Sequence, residues 1–323
     1  MKEAILFSGS SNPHLARGIA RELRIPFGEM TLKTFRDGET YVNIDRPIHP
    51  RVGIRGKQVL IVQSGAPHGN TMFMELLLMI DAVHRHDPRS ITVVLPFYPY
   101  RRQERRVETG EAVSAAVVAR CLEAMNVARV VLTELHVDKV RDFFSVPLVD
   151  VRTEPLFGAY FEKILARRRQ RRKGKFVWHG DPWVVVAPDL GSRPAARALA
   201  DQLMVSFVQS YKHRHMHDVV DVDAMSGAVA GKNAIILDDE IDTAGTMVEN
   251  ARYLRKHGAR DIYVAATHGV FAGSALKQLD HHHFIREVVV TDTIAIPDAD
   301  RIAKLKILSV APLLATALKK LKK

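Results

Sequence analysis

Short apolar runs recur along the chain, with helix-patterned segments between them. The runs cover residues 4–7, 58–62, 91–95, 130–133, 184–187, 234–237 and 262–266. They are rich in Val and Ile and do not alternate apolar with polar. That pattern predicts strands covered on both faces, as in parallel sheets. Residues 74–84, 111–125 and 243–257 repeat apolar positions at helical spacing. Strands alternating with helices predict an α/β fold. The rhythm pauses near 149–157 and then resumes, which predicts two similar halves. We divide the chain at 1–150 and 151–305, with a closing strand and helix at 306–323 expected to pack back on the first half. Within that tail, 312–323 reads as an amphipathic helix with lysines in its last turn, where the helix dipole favours cations. Residues 212–222 hold many His, Lys, Arg and Asp and few large apolar residues, so they read as an exposed loop.

Length and composition narrow the class. The chain has 323 residues, 47% of them hydrophobic, enough for two domains with real cores. No apolar stretch reaches the ~20 residues of a membrane span; the longest, at 72–83, is broken by Glu75 and Asp81. Cys121 is the only cysteine, which excludes a disulfide within the chain and a cysteine-based zinc site. It lies in an apolar helical pattern and reads as a small core residue. A cytoplasmic location is expected. Lys and Arg number 47 against 36 Asp and Glu, a net charge of +11. That balance favours anionic partners without choosing between nucleic acid and small phosphates. Much of the excess sits at 167–175, a nearly all-basic run with no aromatic residue to stack on bases. It reads as a solvated loop or helix end, and nucleic acid is not expected as a partner.

The most informative stretch is 234–246, where the run Ala234-Ile235-Ile236-Leu237 meets Asp238-Asp239-Glu240-Ile241-Asp242 and then Thr243-Ala244-Gly245-Thr246. A buried strand enters two adjacent carboxylates, a turn follows, and a helix opens. Free N–H groups at a helix start bind phosphate, and Thr hydroxyls add donors. The carboxylates suit ribose hydroxyls or a magnesium ion. Capping of the helix by Asp242 and Thr243 would need one such residue. It leaves three Asp and a Glu within five positions unexplained.

This stretch resembles the phosphoribosyl pyrophosphate loop of type I phosphoribosyltransferases, in the version found in the ribose-phosphate pyrophosphokinase family. The resemblance runs almost the whole chain. It includes Phe7-Ser8-Gly9-Ser10-Ser11-Asn12-Pro13, Phe35-Arg36-Asp37-Gly38-Glu39, Met74-Glu75-Leu76-Leu77, Arg102-Gln103, Thr267-His268-Gly269-Val270 and Leu308-Ser309-Val310-Ala311-Pro312. It implies two phosphoribosyltransferase-like domains, each a mainly parallel sheet flanked by helices. The activity implied is transfer of a diphosphate group from ATP to the 1-hydroxyl of ribose 5-phosphate, with Mg2+ as cofactor.

Residue roles follow from the resemblance. ATP would meet Phe35, Asp37, Gly38 and Glu39 of a neighbouring subunit, together with Arg102, Gln103 and Arg105. Glu134, His136 and Asp189 match positions linked to the metal. Lys212 and Arg214 match the cations of the family's catalytic loop. Asp238, Asp239, Asp242, Thr243, Ala244, Gly245 and Thr246 would hold ribose 5-phosphate. A homo-oligomer is implied, a hexamer built from dimers, with ATP sites at subunit boundaries. Some positions depart from the family pattern. Glu134 replaces an Asp, Ser192-Arg193-Pro194 follows Gly191, His215 stands where proline is usual, and Val137 to Arg141 differ throughout. Rival readings are a non-catalytic regulatory homologue, a transferase that consumes the product with a base, and an RNA-binding regulator on the same fold.

Overall fold

The structure is a computed structural model and describes residues 3–44, 53–168, 171–172, 175–176, 182–214 and 220–321. It divides into two compact units, residues 1–152 with 293–295 and 309–323, and residues 153–292 with 296–308. In the first unit β1 (Ala4–Ser8) is followed by α1 (Pro13–Leu23) and a hairpin of β2 (Thr31–Thr34) and β3 (Thr40–Asn43). Next come β4 (Gln58–Val62), α2 (Gly69–His84), β5 (Ser90–Leu95), α3 (Ser114–Ala124), β6 (Arg129–Thr133) and β7 (Leu148–Val151). The sheet order is β1-β4-β5-β6-β7, every pair parallel. Helices cover it on both faces, so the central strands are buried along almost their whole length. That double cover is why these strands read as unbroken apolar runs.

The second unit opens with α4 (Glu154–Arg168), so the pause expected near 149–157 is a strand end and a helix start. A two-stranded ribbon of β8 (Arg171–Arg172) and β9 (Lys175–Phe176) then interrupts the basic run. The rest comprises β10 (Trp183–Ala187), α5 (Arg193–Leu203), β11 (Ser206–Arg214), β12 (Val220–Met225), β13 (Asn233–Ile241), α6 (Gly245–Lys256), β14 (Ile262–Gly269), α7 (Ala275–His281), β15 (Ile285–Thr291) and β16 (Leu305–Leu308). The sheet runs β12-β11-β10-β13-β14-β15-β16, parallel except where β12 turns back on β11. One apolar cluster packs Ile236, Val264 and Val288 against Met247, Val248 and Leu254. Another packs Ile235, Ala265 and Val289 against Phe157, Phe161, Trp183 and Leu199.

The chain then returns to the first unit as α8 (Ala311–Lys320), whose Leu314, Ala315 and Leu318 are buried and which packs on α1. The tail therefore divides at Leu308: β16 completes the second unit's sheet, and only the helix joins the first unit. A boundary at 305 would cut a strand away from its β15 partner. The loop expected at 212–222 is also corrected. Lys212, His213 and Arg214 pair with Val222, Asp221 and Val220 as an antiparallel ribbon, and 215–219 lie outside the described residues. Cys121 is half-buried rather than a core residue.

Candidate active site

The phosphate-type loop is built at the C-terminal edge of the second unit's sheet. Strand β13 does not stop at Leu237. It continues to Ile241, because β14 runs on to Gly269 and pairs Asp238 with Ala266 and Glu240 with His268. The carboxylates therefore project from a held strand, not from a free turn. Beyond it, Ile241 O accepts N–H bonds from Val270 and Phe271 at 3.0 Å, and Asp242 O accepts from Ala272 at 3.0 Å. This brace holds Ala244 in the left-handed region at φ 68°, a conformation that costs a residue with a Cβ about 1–2 kcal/mol. Ala244 is the N-cap residue of α6 and makes no side-chain cap bond. The N-cap position is thus taken by a residue without a capping side chain, between Thr243 and Gly245. The space above Gly245 is open, with Thr243 Oγ1 at 3.9 Å the nearest atom to an added Cβ. Together these features leave a helix start shaped to receive an anion.

Asp238 is the electrostatic centre of this half. Burial pushes its pKa well above the ordinary carboxylate value, and the negative charges of Asp239 and Asp189 add to the rise. Its Oδ1 accepts the Asp239 N–H at 2.9 Å. Asp189 stands at the end of β10 in a tight turn. Its Oδ1 accepts the Ser192 N–H at 3.0 Å, and its carbonyl accepts from Ser192 Oγ at 3.1 Å and Gln209 Nε2 at 2.8 Å. Gln209 is buried on β11, three residues before Lys212. Of Lys212 and Arg214 the structure describes the backbone, in the β11–β12 ribbon with a register irregularity at Tyr211/Lys212.

The first unit holds the other predicted residues. Phe35, Asp37, Gly38 and Glu39 form the tip of the β2–β3 hairpin. The tip is closed by Phe35 N–H to Glu39 O at 2.8 Å and Glu39 N–H to Asp37 Oδ1 at 3.1 Å, with Gly38 at φ 94°. The ring of Phe35 is 52% exposed and meets Tyr41 edge-on at 5.8 Å. An aromatic this exposed on a closed turn is presented outward, not packed into the core.

The arginine-rich loop after β5 is of two kinds. Arg101 is buried, lies over the Phe97 ring and donates from Nη2 to Glu134 O at 2.8 Å. Arg102, Arg105 and Arg106 are exposed. Gln103 is tied to the start of α3, its Oε1 accepting from Ser114 Oγ at 2.7 Å and its carbonyl accepting from Ala115 N–H at 3.2 Å. Arg105 Nε lies 3.7 Å from Glu104 Oε1. Beside this loop lies a recess of about 370 Å³, lined by His68, Gly69, Asn70, Thr71 and Tyr100 among others, which no sequence motif marks.

The positions expected to meet the metal fall on both units. Glu134 is buried, and its Oε1 is engaged by Arg152 Nη2 at 3.0 Å, so its carboxylate serves an ion pair. His136 is exposed, and Asp189 belongs to the second unit. Among the described residues no group of three or more His, Cys, Asp or Glu side chains is placed to hold a metal. No helix among them is long and apolar enough to cross a membrane.

Two segments that carry the resemblance join in one network, buried at Ser11, Gln63 and Glu75 and reaching the surface at Ser10. Glu75 Oε1 accepts from Ser10 N–H and from Gln63 Nε2, both at 2.7 Å, and its Oε2 accepts from Ser10 Oγ at 2.8 Å. Gln63 Oε1 accepts from Ser11 Oγ at 2.6 Å. These residues shape the β1–α1 turn and need no ligand to explain them.

Comparison with known proteins agrees with this architecture. Residues 4–125 match the family model described as the N-terminal domain of ribose phosphate pyrophosphokinase, and residues 221–323 match the phosphoribosyl synthetase-associated domain. A ribose-phosphate pyrophosphokinase of Fusobacterium nucleatum is 37% identical over 97% of this chain and 93% of its own length. The Bacillus subtilis protein of the same name is 36% identical over 98% and 93%. The crystal structure of phosphoribosylpyrophosphate synthetase from Mycobacterium smegmatis superposes with a TM-score of 0.85 at 35% identity, covering 98% of both chains.

Proposed function

The chain belongs to the ribose-phosphate pyrophosphokinase family, and from that premise we propose how its two half-sites share the reaction. It is a transferase of nucleotide biosynthesis that converts ATP and ribose 5-phosphate into AMP and 5-phospho-α-D-ribose 1-diphosphate. The observation that carries the assignment of roles is the end of β13, where a helix start with Ala244 at its N-cap, in the left-handed region, follows two strand-borne carboxylates. The first turn of α6, with Asp242, Thr243, Ala244, Gly245 and Thr246, receives the 5-phosphate through its N–H groups. Asp238 and Asp239 take the ribose hydroxyls. A carboxyl with a raised pKa, as Asp238 has, can donate as well as accept.

The nucleotide side is contributed by the other unit. Phe35 stacks on adenine in the site of a neighbouring subunit, and Asp37 and Glu39 accept from its amino group. Gly38 supplies the turn. Arg102, Gln103 and Arg105 face the triphosphate as donors. Lys212 and Arg214, carried on the β11–β12 ribbon, stabilise the charge that develops on the transferring group and on the departing AMP oxygen. The 1-hydroxyl attacks the β-phosphorus in line, and positioning and electrostatics supply the rate.

Magnesium fits this chain as a partner of ATP. Mg2+ takes one or two protein carboxylates at most and completes its shell with phosphate and water, and Asp189 is the carboxylate we assign to it on the second unit, with His136 assigned on the first. When bound, the metal neutralises the polyphosphate charge.

The homo-oligomer, a hexamer built from dimers with ATP sites at subunit boundaries, belongs to the same proposal, and sedimentation finding an active monomer would contradict it. We place the enzyme in the cytoplasm on its single, half-buried cysteine and its nucleotide substrates.

The deciding experiment follows AMP release with ribose 5-phosphate, ATP and Mg2+, beside a Lys212→Ala variant. Sugar-dependent AMP release, reduced on the order of 100-fold or more in the variant, is expected, since one such contact contributes roughly 2.7–4 kcal/mol to the barrier. Silence of the wild-type protein would instead favour a regulatory homologue.

A further inference from the structure

One buried carboxylate joins the segments that carry the nucleotide-side residues. Asp150, on β7, has a fully buried side chain. Its Oδ1 accepts the Leu135 N–H at 3.1 Å, and its Oδ2 accepts from Arg141 Nη2 at 3.2 Å. Arg152 Nη1 lies 3.7 Å from the same Oδ2, while Arg152 Nη2 reaches Glu134 Oε1 at 3.0 Å. Glu134 N–H donates to Val151 O at 3.2 Å, and Glu134 O accepts from Arg101 Nη2 at 2.8 Å. Amide, carbonyl and carboxylate of Glu134 are thus all held, and the residue stands in the left-handed region at φ 56°. His136 follows two residues later, exposed.

The two carboxylates are buried, while the Arg141 and Arg152 side chains remain 42% and 44% exposed, so solvent screening and carboxylate desolvation leave the network a weak source of stability. What it supplies is geometry. A strained backbone persists where its surroundings over-determine it, and such sites cluster at functional positions. We propose that Asp150 and Arg152 are positioning residues for the reaction: they fix the turn from Glu134 to Arg141 and thereby set where His136 stands towards ATP. Glu134 is then the acceptor for Arg152, not a metal ligand. The inference rests on the functional reading above, since it takes His136 as a nucleotide-side group.

The test uses the full-length enzyme and initial rates against ATP and ribose 5-phosphate separately. Arg152→Gln is expected to raise KM for MgATP roughly 10–100-fold, the range for lost support behind a site residue. The ribose 5-phosphate KM should stay within about twofold of wild type. Arg152→Lys keeps the charge but not the two-pronged reach, and should show the same ATP-selective rise at smaller size. Asp150→Asn should resemble it. Combined with His136→Ala, Arg152→Gln should add little further loss, because both act through one group. Thermal unfolding of each variant is followed in parallel, and a purely structural role would lower stability while leaving the ratio of the two KM values alone. If Arg152→Gln does not fold, Arg152→Lys carries the same comparison. Unchanged ATP kinetics in Arg152→Lys and Asp150→Asn, an equal rise in both KM values, or full additivity with His136→Ala would each overturn the proposal. Wild-type activity with unaltered variants removes this inference alone, whereas a wild-type protein that releases no AMP removes the functional reading with it.

Discussion

Asp238 is held where folding and function pull in opposite directions. Burial disfavours its charge, and Asp239 and Asp189 oppose it further, so its folded pKa is raised well above the unfolded value of 3.8. As pH rises from the unfolded value towards the folded one, the unfolded chain loses this proton while the folded chain keeps it. Stability therefore falls across that window and stays lowered above it. Asp238→Asn should melt higher than wild type in mildly alkaline buffer, lose part of the fall in melting temperature between acidic and alkaline buffers, and use ribose 5-phosphate poorly. A variant that melts lower than wild type at every pH would contradict the assignment. That 238–246 is a candidate site was legible in the sequence, because two adjacent Asp after an apolar run have no core role. Its neighbours were less so. Arg101 and Arg102 are chemically alike in the sequence, yet one lies under Glu134 O and the other faces solvent. Only the fold separates them. Glu134 reads in the sequence as a metal-linked carboxylate, and only the fold brings Arg152, eighteen positions on, to its Oε1.

Secondary-structure elements show the same division between what a local pattern carries and what it cannot. The buried strands were legible because cover on both faces writes a continuous apolar run, as in β4, β5 and β14. The β11–β12 ribbon was not legible. It is held by a backbone ladder between residues of mixed polarity, which leaves no period to read. The turn between β1 and α1 gives an element-level test. An added Cβ on Gly9 would stand 2.3 Å from Gln63 Oε1. Gln63 has little freedom to step aside, because it accepts from Ser11 and donates to Glu75 and to Met72 O. Gly9→Ala should therefore destabilise the protein by about 1–3 kcal/mol, the usual range for overpacking. Denaturant unfolding checks this, and a midpoint equal to wild type would mean that the network yields.

At the level of the whole molecule, chain order and structural unit part company. The first unit takes its last helix from the far end of the chain, after the whole of the second unit has been traversed. Helix α8 buries Ala311, Leu314, Ala315 and Leu318, and Ala311 comes so close to α1 that an added Cβ on Gly18 would sit 3.1 Å from it. Two buried leucines and two alanines are worth about 5 kcal/mol of transfer free energy before entropy is counted. A domain's whole net stability is about 5–15 kcal/mol. Removal of residues 309–323 should therefore be felt at the opposite end of the sequence. In the truncated protein, amide hydrogen exchange should rise across α1 and the β1–β4–β5–β6–β7 sheet, while β13 and β14 keep their protection, because their partners are intact. With the hairpin and arginine loops seated on a loosened unit, apparent ATP affinity should fall before ribose 5-phosphate affinity does. Exchange that rises mainly in β13–β16, next to the cut in sequence, would instead mean that the tail supports the second unit.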